Sequence, residues 1–186
     1  MDTSITSPDN RPWLFPALLV AASAVSSLAF ACVTPFAAFS IVSAYAVSPR
    51  TALLTVGAVW LTNQLVGFAF LDYPWTVDTA LWGLAIGAAA LLATALASTV
   101  MRLRHVNIAI VVGVAAVAAF GAYEATLFLA SLVLGGQEAF APAIVGRVAL
   151  LNLEWGAALL GGYEMLRYAG VRAFTQMACA GRPRPA

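Results

Sequence analysis

The sequence predicts an all-α polytopic membrane protein: six transmembrane helices, a short second helix, and N- and C-termini in the cytoplasm. Three observations carry that prediction. Of 186 residues, 62% are hydrophobic and 9% charged, where a soluble domain carries roughly 25% charged residues. Five stretches reach the ~20 apolar residues that a spanning helix needs. The arginines gather on one side of the membrane only when a sixth, shorter segment also crosses.

The first span is Leu14–Val33, after a polar N-terminus "MDTSITSPDNRPW" at residues 1–13 that lacks the basic start of a secretory signal. Ala29–Ala31 mimics a cleavage site, but the apolar run before it is about 18 residues, longer than the ~7–15 of a signal core. Thr34-Pro35 breaks that helix. The apolar segment "PFAAFSIVSAYAV" follows and ends at Ser48-Pro49-Arg50. Length alone leaves this segment open as a short span or a half-inserted one. Four further spans are Thr51–Phe70, Thr79–Val100, Ile108–Leu134 and Ala143–Leu166.

Arginine placement decides the short segment. With six spans, Arg11, Arg50, Arg102, Arg104, Arg167, Arg172, Arg182 and Arg184 all fall on the cytoplasmic side. Arg147 alone falls outside, with Asp72, Asp78 and Glu138. The chain thus divides into residues 1–13, a single six-helix membrane domain over 14–166, and a basic, Pro- and Arg-containing cytoplasmic tail over 167–186. That tail rests on anionic lipid. Cys32 and Cys179 then lie on opposite sides and cannot pair within one chain. No basic patch exists to neutralise phosphates, so nucleic acid is not a partner.

Ionisable groups inside spans are costly and mark function by default. Glu154 sits about 15–18 Å into the last span and Glu124 about 15 Å from the outer end of the fifth. These two helices are consecutive and antiparallel, so the carboxylates share a depth, with Arg147 one to two turns above. Arg147 and Glu154 are nearly two turns apart and share one face, whereas Asn152 points the other way and reads as a packing residue. Gly113, Gly121 and Ser131 fall on or near the Glu124 face, where they allow close helix approach. The bland alternative is that Glu124 or Glu154 is protonated, or pairs with Arg147 to hold two helices together.

Gln64 lies near the outer end of the third span, and Trp75 and Trp82 flank the loop that follows. Aromatic belts collect Trp at both membrane interfaces, yet aromatic walls with a few convergent polar groups also build small-molecule pockets. Ala17 and Ala21, and Gly83 and Gly87, recur at the four-residue spacing that lets helices meet closely in lipid. There is no Cys-x-x-Cys, metal-binding helix, G-x-S-x-G or phosphate loop, so no catalytic residue, metal or cofactor is expected and the chain does not read as an enzyme. His105 reads as a solvated loop residue.

The run "PFAAFSIVSAYAVSPRTALLTVGAVWLTNQLVGFAF", with the size and the six helices, resembles the S components of energy-coupling-factor (ECF) vitamin transporters. The resemblance covers about Leu14 to Leu166. It implies a bacterial inner-membrane protein that binds a vitamin-sized nutrient from the outer face, cobalamin included. It further implies that Ala17 and Ala21 dock onto a transmembrane coupling subunit that works with ATPases. In a solitary cobalamin-handling relative, Cys32 faces the corrin cobalt. On this reading Glu124 and Glu154 supply negative charge, Arg147 holds an anionic or polar end, and Trp75 and Trp82 cover a ring. The other class of function is an accessory subunit of a larger membrane complex, in which the small-residue faces bind partners and the charges pair internally.

Overall fold

The computed structural model describes residues 13–29, 34–103 and 107–169. Within them the chain forms six α-helices and one 3-10 turn, with no strand. They are α1 (Leu14–Ala29), α2 (Phe36–Ala46), α3 (Pro49–Phe70), α4 (Val77–Val100), α5 (Ile108–Leu134), the 3-10 turn (Gln137–Phe140) and α6 (Pro142–Tyr168). The expected all-helical, multi-pass architecture is borne out. α3, α4, α5 and α6 are long and apolar enough to cross a membrane, and α1 and α2 are shorter at 16 and 11 residues.

Local chemistry sets the helix ends. Ser48 Oγ accepts the Thr51 N–H at 3.3 Å, and Pro49 opens α3 where its missing donor costs nothing. Thr76 caps α4 through the Thr79 N–H at 3.2 Å, and Asn107 caps α5 through the Ala109 N–H at 2.9 Å. Gly135 and Gly136 both adopt φ +85°, which glycine reaches without penalty, and so stop α5 and turn the chain toward α6.

At about 16 Å, α2 covers roughly half of a bilayer's apolar thickness. It is apolar on every side, and each of its residues except Tyr45 is buried. α3, α4, α5 and α6 pack around it, and α1 lies against α3. Rings tie the layers together: Phe36 stacks on Tyr123 at 6.1 Å, Phe39 lies 6.2 Å from Trp155, and Tyr45 meets Tyr163 edge-on at 5.8 Å. Phe15 of α1 reaches Tyr163 of α6 at 4.9 Å.

Contacts also give each helix its direction. Trp13, Ala17 and Val20 line one groove with Thr51, Thr55 and Ala58, so α1 and α3 run in parallel and α2 returns the chain between them. Trp60 packs on Gly87 and Gln64 on Gly83, so α4 runs back along α3. Tyr45 at the end of α2 shares a hollow with Ile108 at the start of α5 and Glu164 near the end of α6. The start of α1 and the end of α6 therefore lie at one end of the bundle. Arg50, Arg102 and Arg167 lie at that end, and Asp72, Asp78, Glu138 and Arg147 at the other.

Glycines divide into two kinds. A methyl group on Gly87 would land 2.7 Å from the Trp60 ring, and one on Gly83 would land 2.5 Å from Gln64 Oε1. These two residues are the close-approach sites of the α3–α4 seam. Gly113 and Gly121 differ from expectation, since a methyl group there would meet nothing. The inward ridge of α5 is instead Val111, Ala115, Ala119 and Tyr123, which leaves both glycines on the outward side.

Candidate functional site

Hydroxyls and amides, rather than charges, occupy the bundle interior. Asn63 Nδ2 donates to Thr34 Oγ1 at 2.8 Å and to Ser27 Oγ at 3.1 Å, and those two hydroxyls are 3.0 Å apart. Gln64 Nε2 donates to Asn63 Oδ1 at 3.2 Å, so Gln64 belongs to the network that ties α1 and the start of α2 to α3. Farther along α2, Ser40 Oγ donates to the Ala90 carbonyl at 3.2 Å and lies 2.9 Å from Thr94 Oγ1. In a dry interior an unpaired polar atom costs far more than a paired one. Ser43 Oγ and Ser98 Oγ are buried without a partner among the described residues.

Asn152 completes this interior. Its Oδ1 accepts the Ala38 N–H at 3.0 Å and its Nδ2 donates to the Val148 carbonyl at 2.9 Å. Ala38 is the third residue of α2, whose first N–H groups have no partner inside the helix. Pro35, the residue before α2, offers no side-chain cap. An amide of α6 therefore caps α2 from across the bundle.

Glu154 lies two residues beyond Asn152 and about 200° around the helix, so with Asn152 turned in, Glu154 is turned out. Glu154 and Arg147 are both exposed on α6. Glu124 is half-buried on α5. It ends a ridge of Val112, Ala116, Phe120 and Glu124 that runs beside the inward ridge of α5. Val112 lines a hollow of about 380 Å³ against Leu160 and Gly161 of α6, so this ridge borders the α5–α6 seam. Gly161, Glu154 and Arg147 recur at seven-residue intervals and form one stripe on the exposed side of α6, of which Gly161 reaches the hollow. The 3-10 turn packs on both α5 and α6, whereas those two helices have at most marginal contact with one another.

Glu124 thus stands on the ridge that borders the α5–α6 seam, whereas Arg147 and Glu154 stand on the outward stripe of α6, and none of the three pairs with another among the described residues. Among the described residues, the ion pair that does form is Arg167–Glu164, at 3.3 Å. Glu164 Oε1 also accepts the Tyr45 hydroxyl at 2.6 Å. Glu164 and Tyr45 went unnoticed in sequence. Glu164 sits close to the helix end and reads as interfacial, and its partner lies 119 positions away. No group of three or more His, Cys, Asp or Glu side chains converges among the described residues.

Trp75 is 84% exposed and leans on Phe68 with ring centroids 4.6 Å apart, a placement that suits an interfacial belt. Trp82 is half-buried and abuts Gly136 in the α5–α6 connection. Ala17 and Ala21 are both exposed, and Ala17 forms part of the α1–α3 groove of about 420 Å³. The expectations for Cys32, Cys179, His105, the N-terminal twelve residues and the tail from 170 onward lie outside the described residues. No protein-family model, curated protein or solved structure matches this chain.

Proposed function

We propose that this protein is a bacterial inner-membrane uptake component that binds a vitamin-sized organic nutrient at the outer half of the α5–α6 seam. One observation carries the reading. Glu124, Arg147 and Glu154 lie within the long helices α5 and α6, which leave a seam between them unclosed, and none has a hydrogen-bond or ion-pair partner among the described residues. A charged residue at the centre of a spanning helix costs about 2.5–3.5 kcal/mol. Two carboxylates and a guanidinium left unpaired are a ligand's binding groups rather than helix glue. The carboxylates take donors or a positive group, Arg147 takes an anionic or polar end nearer the outer face, and Trp82 covers an apolar ring. Gln64 and Trp75 stand as outlying members.

Ala17 and Ala21, exposed on α1, suit close approach by a transmembrane coupling subunit, as the likeness to ECF S components implies. A second reading rests on α6 itself. That helix is only 11% buried over its apolar window and exposes Leu150, Leu153 and Glu154 together. Such a face also fits an accessory subunit seated against another polypeptide. Native mass spectrometry from mild detergent separates the two. A defined small mass that is lost in both Glu124→Gln and Glu154→Gln supports uptake. A stoichiometric partner chain with no small molecule supports the accessory reading instead.

A further inference from the structure

The arginine-bearing end of the α5–α6 seam holds a second arrangement, distinct from the charges above. Ile108, Ala109 and Val112 face Leu160 and Gly161 across the hollow of about 380 Å³, and Tyr45 of α2 lines its inner side. Glu164 stands at the rim within about one turn of the end of α6. The walls are aliphatic and the rim is polar, at a depth where acyl chains give way to headgroups. Close-packed interiors leave no such space empty. Here the medium that reaches it from the side is lipid.

The rim is also specific in its chemistry. Tyr45 Oη and Arg167 Nη1 both engage Glu164 Oε1, at 2.6 Å and 3.3 Å, and so fix the carboxylate in place. Glu164 Oε2 remains available as an acceptor, and the Arg167 guanidinium, which is exposed, keeps most of its five donors. One negative and one positive group stand side by side. That pair complements a headgroup that carries an ammonium with N–H donors next to a phosphate.

We propose that this hollow is a binding site for an aminophospholipid. One acyl chain lies against Val112 and Leu160, the phosphate sits on Arg167, and the primary ammonium donates to Glu164 Oε2. A quaternary ammonium has no N–H and loses that bond. A glycerol headgroup donates only neutral hydroxyls and brings no positive charge to offset Glu164. The site is independent of the nutrient reading, since it uses neither Glu124, Arg147 nor Glu154.

The test presents the purified full chain with an equimolar mixture of phosphatidylethanolamine, phosphatidylcholine and phosphatidylglycerol of matched acyl chains. Retained adducts are then counted by native mass spectrometry. The expected result is retention of phosphatidylethanolamine over phosphatidylcholine by about tenfold, the size of one hydrogen bond to a charged group. Glu164→Gln removes that preference, and Arg167→Gln weakens all three lipids together. Gly161→Phe, whose side chain enters open space, displaces lipid of every kind. Equal retention of the three headgroups by the wild-type protein overturns the proposal without recourse to any variant. So does a phosphatidylglycerol preference, or an ethanolamine preference that survives Glu164→Gln.

Discussion

The first N–H groups of a buried helix have to find acceptors outside it, and for Ala38 the acceptor is Asn152 Oδ1 at 3.0 Å. Asn152→Leu keeps the branched outline at a somewhat larger volume and strands that donor in a dry interior. The expected cost is about 1–3 kcal/mol, read as a fall in the thermal midpoint of the detergent-solubilised protein. Glu154→Leu, two residues on, is the opposite experiment. It removes a carboxylate from an exposed, lipid-level position, so the midpoint holds or rises while retention of the nutrient is lost. If Glu154→Leu lowered the midpoint as Asn152→Leu does, Glu154 would be a structural residue and the nutrient site would lose its central group. That these residues point apart was legible from their spacing alone. Which of them points inward was not, because that depends on where α2 sits. The sequence read α6 from its charges, whereas its burial follows from a missing cap on another helix.

Among the helices, the α3–α4 seam and the outward side of α5 respond oppositely to the same change. Trp60 Nε1 donates to the Gly83 carbonyl at 2.8 Å and its ring fills the space above Gly87. Gly87→Ala forces that ring to move and breaks the seam's packing, at a cost of about 1–3 kcal/mol. The pair Gly87→Ala with Trp60→Phe recovers part of it, which a double-mutant cycle detects as coupling. Gly113→Ala adds its methyl group to open space and raises helix propensity, so the expected effect is neutral to about 1 kcal/mol stabilising. Gly87 stands out in sequence by its spacing from Gly83, and Gly113 by its place near the Glu124 face, and nothing in a run of alanines and glycines says which face of α5 turns inward. For the long helices, hydropathy placed the ends closely: Ile108–Leu134 stands as expected, and α3, α4 and α6 each begin within two residues of the expected start. α2 was legible for the complementary reason that Thr34-Pro35 and Ser48-Pro49 bracket it.

Across the whole molecule, six helices alternate in direction, and the parallel run of α1 and α3 requires α2 to return the chain although its helix is only 11 residues long. The consequence is electrostatic. Arg50, Arg102 and Arg167 are collected at the end where α1 begins and α6 stops, opposite Asp72, Asp78 and Glu138. A membrane retains basic loops on its cytoplasmic side, so that end is the one expected inside. Single cysteines at Pro74 and Ala139, in a background without Cys32 and Cys179, test the assignment. Both positions are exposed at the acidic end, while Leu103 and Ala169 are exposed at the basic end. An impermeant maleimide added to intact cells is expected to label positions 74 and 139 at once, and positions 103 and 169 only after permeabilisation. The reverse pattern would invert the protein, place Arg147 and the mouth of the nutrient seam in the cytoplasm, and turn uptake into export. Labelling of position 103 together with 74 would deny that α4 crosses at all, against its length of 24 mostly apolar residues.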